Sequence, residues 1–244
     1  MPFAYSVPDP TTEQDHDRKQ TGGIPVNLTT QEQAAAYDEL AAKTIPDMEG
    51  FYGAVTDALP EDGGPILELA CGTGILTTRI RKTHPDATLT CIDRSSEMLA
   101  IAREKPETTS ATLIEGDVLD PWPDGPYDAI VSTFCIIAFA PDVQATVLRR
   151  IHTALRPGGV CITGCSVRPE DPAEEERLLD EWVAFMQDAG LDPAEILRQR
   201  ASWTAAGDHI PTPDAFRALL THAGFTRIRC PYHEGLYAVF VGER

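Results

Sequence analysis

Positive charge is what this chain has least of. Twenty Lys and Arg residues face 38 Asp and Glu, a formal charge of −18, so a phosphate backbone would meet repulsion in place of a counterion-releasing basic surface. No nucleic-acid partner is expected. The one local basic cluster, Arg79, Arg81 and Lys82, reads as a solvated helix end. Long apolar runs are missing as well: none approaches the roughly 20 residues that span a bilayer. The start, Met1-Pro2-Phe3-Ala4-Tyr5, lacks the basic-then-apolar order of a secretory leader. A cytoplasmic protein with no membrane partner is the expectation.

Metal and nucleophile patterns are equally scarce. The six histidines include no pair at zinc spacing, and Cys161 and Cys165 fall four apart on a strand-like run, so no metal is expected. Most of the six cysteines lie within runs of Val, Ile and Phe, where a reduced thiol behaves as a small hydrophobe. That argues against a disulfide framework. Gly164-Cys165-Ser166-Val167-Arg168 lacks the central serine and second glycine of a nucleophile elbow, which sets hydrolase chemistry aside.

What remains is an ordinary globular composition, 42% apolar and 24% charged, in a chain long enough for one large domain or one domain with an insertion. Residues 1–30 are rich in Pro, Thr, Gln, Asp and Gly without apolar period and read as a flexible arm. Residues 31–62 read as two helices: Ala34, Ala35, Ala36, Leu40 and Ala41 sit at helical spacing, Pro46 interrupts, and a second helix runs from about 49 to 59. From 63 to 167 short apolar runs (66–70, 88–92, 111–114, 128–133, 159–164) alternate with helical segments (76–82, 96–104, 142–155). Such alternation predicts an α/β, doubly wound, mostly parallel sheet. Residues 168–212 form an acidic, Pro-bounded stretch with an apolar helical stripe, Leu178, Leu179, Trp182, Val183, Phe185 and Met186. It reads as an inserted cap or as one more helix on the core. Residues 213–244 supply a closing helix and two strand-like runs, 225–230 and 236–241, spaced as an antiparallel hairpin.

The chemistry concentrates at strand ends. Ile66-Leu67-Glu68-Leu69-Ala70-Cys71-Gly72-Thr73-Gly74 is an apolar strand running into a turn whose small residues Ala70, Gly72 and Gly74 let backbone approach a ligand. Thr77 stands where a dinucleotide site wants its third glycine. Glu68, near the end of a buried strand, is costly unless paired, which suggests a cationic ligand. Asp93 closes the next strand, placed to accept both hydroxyls of a ribose. Asp117, in Glu115-Gly116-Asp117-Val118, follows the third. Three carboxylates at successive strand ends would line up an amine, a ribose and an adenine along one sheet edge.

These residues resemble the class I S-adenosylmethionine-dependent methyltransferase family over 66–164. The resemblance implies a Rossmann-like seven-stranded sheet, S-adenosyl-L-methionine as cofactor, and methyl transfer to an O, N or C atom of a small molecule, with the protein a monomer or homodimer. It places Glu68 to Gly74 around the methionine part, Asp93 on the ribose, Arg94 and Met98 beside the adenine, and Asp117 on its amino group. Gly116 and Val118 support the ring by backbone. Pro126 to Ser132 resembles the fourth-strand motif, whose end at Ser132 faces cofactor and acceptor; Leu155 to Val160 resembles the turn before the fifth strand. Ala70 departs from the commoner glycine. Ser132-Thr133-Phe134-Cys135 lacks the Asn/Asp-Pro-Pro-Tyr signature of base and amide methylation.

Tyr37 and Tyr52 resemble lid aromatics of small-molecule members, able to face a sulfonium. Phe134, Phe139, Trp182, Trp203 and Tyr237 are the other candidate walls of an acceptor pocket. His209, at the end of the cap, and His233, in the hairpin turn, are candidate general bases. A nicotinamide oxidoreductase, a same-fold enzyme doing carboxy transfer or cyclisation, and a non-catalytic cofactor-binding protein remain as alternatives.

Overall fold

The computed structural model describes residues 30–61 and 64–244; the arm expected at the N-terminus falls outside them. Thr30 opens helix α1 (Gln31–Thr44), its hydroxyl accepting from the Gln33 amide at 3.2 Å. Asp47 does the same for α2 (Met48–Thr56), accepting from Gly50 N at 2.9 Å. Side chains that satisfy amides of the first turn are what set these starts, with Pro46 between them preventing one continuous helix.

Then come β1 (Pro65–Leu69), α3 (Ile75–Thr83), β2 (Thr88–Asp93), α4 (Ser96–Glu104), β3 (Thr112–Glu115), β4 (Tyr127–Thr133), α5 (Pro141–Ala154) and β5 (Leu155–Ser166). Two further helices, α6 (Pro172–Asp188) and α7 (Pro193–Ala206), precede α8 (Pro213–Ala223), β6 (Thr226–Glu234) and β7 (Tyr237–Glu243). The expected hairpin is therefore longer than the sequence pattern indicates, because β6 carries alternating half-exposed residues of an edge strand that apolar periodicity underweights.

The seven strands form one sheet in the order β3-β2-β1-β4-β5-β7-β6. β1 to β5 are parallel; β7 lies antiparallel between β5 and β6. Ile66, Leu67, Leu69, Ala129, Ile130, Val131 and Ile162 are almost fully buried, as expected of strands covered on both faces. From β1 the chain winds outward through β2 and β3, then returns to β4 on the other side. That reversal leaves a crevice at the carboxyl ends of β1 and β4, where open α/β sheets bind ligands. Among the described residues no helix is long and apolar enough to cross a membrane.

Candidate cofactor cleft

The turn after β1 coils tightly because three of its residues take left-handed backbone: Ala70 (φ 55°), Gly72 (φ 56°) and Gly74 (φ 81°). Gly74 could not carry a side chain cheaply, since its left-handed backbone strains any L side chain, and a Cβ there would also sit slightly close to Thr108 Cγ2, at 3.3 Å. Ala70 adopts this region without that freedom, a strain of the kind concentrated at functional turns. The turn is tied to β2 by Cys71 N donating to Ile92 O at 3.0 Å and by Gly72 N donating to Asp93 Oδ2 at 2.7 Å.

Asp93 is 4% exposed and also accepts from Ser95 N at 2.9 Å through Oδ1. Burial raises its carboxyl above the usual range, opposed by these two amide bonds. Each oxygen keeps a further lone pair, and the group lines a narrow cleft with Tyr37, Tyr52, Ala70, Gly72 and Met98. Those are six of the residues singled out in the sequence. Cys71 and Thr73, inside the segment expected around the methionine part, line the same cleft, as do Ile75, Leu76 and Thr133; these last three were not singled out, though lying beside the glycines and at the end of β4 they could have been found from position alone.

Glu68 does something different from what its position suggested. It is 2% exposed and does not line the cleft; its Oε2 accepts from the Thr77 hydroxyl at 2.7 Å and the Cys91 thiol at 3.5 Å. Loss of water pushes its carboxyl up to about 7. It braces the first turn of α3 against β1 and β2, and Thr77, which replaces a glycine, is its partner. Gly74 backs the turn. Arg94 is exposed, and Ser132 is buried in β4. Gly116 N donates to Asp93 O at 2.9 Å, Asp117 Oδ1 accepts from Leu119 N at 2.9 Å, and Val118 O accepts from Trp122 Nε1 at 2.9 Å. None of these residues lines the cleft; Gly116 and its neighbours stand next to it, at the end of β3.

Two helices roof the cleft. Tyr37 on α1 and Tyr52 on α2 are buried, and burial holds both phenols protonated, well above their ordinary range. Asp38 joins α1 to the floor, accepting from Lys105 Nζ at 2.5 Å and from the Thr73 hydroxyl. Arg79 joins α2 to α3, pairing with Glu49 and lying 5.1 Å from the Tyr52 ring centre. Arg81 bonds Pro85 O and Ala87 O, and Lys82 pairs with Glu107. The local basic cluster is thus engaged in tying α3 to the segments around it.

The remaining aromatics expected from the sequence are not in the lining of the cleft. Phe51 stacks on Phe134 at 5.0 Å and meets Tyr52 and Tyr237 edge-on at 5.2 and 6.2 Å. Tyr237 OH and Trp182 Nε1 both donate to Thr44 O at 2.7 Å, capping the end of α1. Trp203 Nε1 donates to Glu175 Oε1 at 2.6 Å, and Phe139 is half-buried with its carbonyl accepting from Gln144 at 2.9 Å. Phe134, Trp182, Trp203 and Tyr237 are buried, held by these ring and hydrogen-bond neighbours.

His233 is not in the hairpin turn. It is exposed within β6, opposite Ala238, and so on the sheet face away from Tyr237 and Phe51. That placement removes it as a general base beside the cleft. His209 is half-buried; its carbonyl accepts from Gln144 at 2.8 Å, and its ring Nδ1 is buried without a hydrogen-bond partner among the described residues.

Comparison with known proteins agrees with this geometry. Residues 66–159 match a family described as a methyltransferase domain. A carboxy-S-adenosyl-L-methionine synthase of Pseudomonas aeruginosa is 30% identical over 198 residues, 76% of this chain and 77% of that protein. A demethylmenaquinone methyltransferase of Thermus thermophilus is 29% identical over 204 residues, 81% and 90% of the two chains. Among solved structures, PigF with SAH superposes with a TM-score of 0.65 at 22% identity; the match covers 88% of this chain and 60% of that one. The chain belongs to the class I S-adenosylmethionine-dependent methyltransferase family, with S-adenosyl-L-methionine as its cofactor.

Proposed function

We propose that this protein transfers a methyl group from S-adenosylmethionine to an O, N or C atom of a small molecule. The observation that carries the reading is the Asp93 carboxylate, fixed by two backbone amides and facing a cleft roofed by two buried tyrosines. Bound S-adenosylmethionine supplies a methyl group on a sulfonium sulfur. Asp93 would take the ribose hydroxyls, and the Tyr37 and Tyr52 rings would present π-faces to positive charge, an attraction of about 0.5–2 kcal/mol. Their phenols stay neutral throughout the working range. Residues 31–62 act as a lid that excludes water, 63–167 as the cofactor-binding core, 168–212 as a cap over the acceptor and 213–244 as the closing edge. Catalysis rests on orientation in a water-poor site, with His209 the remaining candidate for a base.

A second reading has its own support: the Pseudomonas aeruginosa relative is named for making carboxy-S-adenosyl-L-methionine. Incubation with methyl-labelled S-adenosylmethionine and a small-metabolite filtrate, followed by mass spectrometry, separates the two. Label in a new molecule with release of S-adenosylhomocysteine supports methyl transfer. Label retained in a heavier sulfonium supports the second reading, and no binding of S-adenosylmethionine in calorimetry would overturn both.

A further inference from the structure

Beyond the cofactor cleft, buried polar groups without hydrogen-bond partners among the described residues lie at the end of β5. Thr133, which lines the cleft, is paired in the sheet with Gly164, and the side of Gly164 that would bear a Cβ faces Phe51, 2.5 Å from its Cζ. Alternation puts Ser166 on that same face, fully buried, its hydroxyl without a hydrogen-bond partner among the described residues. Two residues on, Arg168 is anchored by its backbone amide to Pro211 O at 3.1 Å, where the chain returns from the segment holding α6 and α7.

The Arg168 side chain is three-quarters buried. Its Nη1 meets Glu175 Oε1 at 3.2 Å, and the guanidinium lies 5.6 Å from the centre of the Trp203 ring. Glu175 Oε1 is shared with the Trp203 indole N–H. Nε and Nη2 are buried with no hydrogen-bond partner among the described residues. These two nitrogens form one edge of the guanidinium, and their N–H bonds run parallel, the fork that a carboxylate fills with both oxygens. Charged donors buried without acceptors are costly in a protein interior. In a chain of net charge −18 the overall field would not gather an anion, so recognising one needs a dedicated group.

The geometry points to a carboxylate subsite formed by the Nε–Nη2 edge of Arg168 and the Ser166 hydroxyl, beside the Trp203 ring. Resting on the methyl-transfer reading, this makes the acceptor a small molecule that carries a carboxylate next to an aromatic or apolar body. Arg168 and Ser166 are its specificity residues, and Glu175 holds the guanidinium by its other side.

The test titrates benzoate and, separately, benzamide into protein saturated with S-adenosylhomocysteine, by calorimetry. Benzoate is expected to bind about tenfold more tightly than benzamide, because only the carboxylate fills the fork. Arg168→Lys, which keeps the charge and loses the paired donors, should weaken benzoate at least about fivefold, and Arg168→Gln should remove the preference. Glu175→Gln should tighten benzoate by about threefold by removing a competing carboxylate; a guanidinium that serves only to pair Glu175 would show no such gain. Equal binding of benzoate and benzamide by the unaltered protein overturns the assignment, as does undiminished benzoate binding by a folded Arg168→Gln. Should that variant not fold, the unaltered protein and Glu175→Gln decide the outcome between them. Affinity for S-adenosylhomocysteine, read separately, reports on the cofactor cleft, so failure there and failure of the subsite are different results.

Discussion

Two carboxylates at adjacent strand ends, Glu68 and Asp93, look alike in the sequence and are used differently. Asp93 spends one lone pair of each oxygen on a backbone amide and presents the rest to the cleft. Asp93→Asn should lower S-adenosylhomocysteine affinity at least about tenfold in calorimetry, since a hydrogen bond to a charged group is worth roughly 1.5–3 kcal/mol; unchanged affinity would remove Asp93 from the ribose. Glu68 is turned inward to Thr77 and Cys91. Its folded pKa of about 7 lies above the ordinary 4.5, so the folded protein holds that proton more tightly than the unfolded chain. The resulting stabilisation is complete below the unfolded value and is lost as pH rises through 7. Between acidic and mildly alkaline pH the unaltered protein should therefore lose about 2–3 kcal/mol more than Glu68→Gln in urea titrations. Parallel pH profiles for the two would mean that Glu68 is solvated.

At the scale of elements, the two helices that roof the cleft are held in different ways. Asp38 links α1 to Lys105 and Thr73 from a partly exposed position, where ion pairs contribute little. Asp38→Ala is thus expected to speed release of S-adenosylhomocysteine by only about threefold, measured by stopped flow, with almost no change in melting temperature. The opposite balance holds under α2. Phe51 is wedged among Tyr52, Phe134 and Tyr237, so it cannot yield to a new methyl group at Gly164. Gly164→Ala should cost about 1–3 kcal/mol in denaturant unfolding and weaken cofactor binding with it, because α2 carries both Phe51 and Tyr52. A neutral outcome would show that α2 is free to shift.

Over the whole molecule, charge is the dominant bias. Many of its ion pairs are exposed neighbours on one helix, such as Arg177 with Glu174 and Glu181 or Arg198 with Glu195, each worth roughly 0–1 kcal/mol. They do not offset the self-repulsion of −18 charges. Melting temperature should accordingly rise by a few degrees as sodium chloride goes from roughly 10 to 300 mM, a range over which screening shortens several-fold. A fall would mean that local pairing outweighs the net field.

The amino-acid pattern by itself determined the parallel core, the turn at 70–74 and Asp93 as a carboxylate at the end of its strand, because strand burial, glycine freedom and carboxylate placement are local and periodic; the cofactor class followed from the family resemblance that those residues carry. Tyr37 and Tyr52 at the cleft were legible, but the surroundings of Phe134, Trp182, Trp203 and Tyr237 were not, because these rings are buried through contacts between segments far apart in the chain. Nor was the inward turn of Glu68, which depends on a threonine nine residues later, or the face of the sheet on which His233 lies, which depends on register with β7. Arg168 belongs with these. In the sequence it is one arginine after a strand, and only the packing of α6 and α7 near the end of β5 occupies one side of its guanidinium and leaves the other buried without a hydrogen-bond partner among the described residues. Periodicity fixes what a segment becomes, whereas the direction a buried polar group faces is decided by neighbours that only tertiary structure brings together.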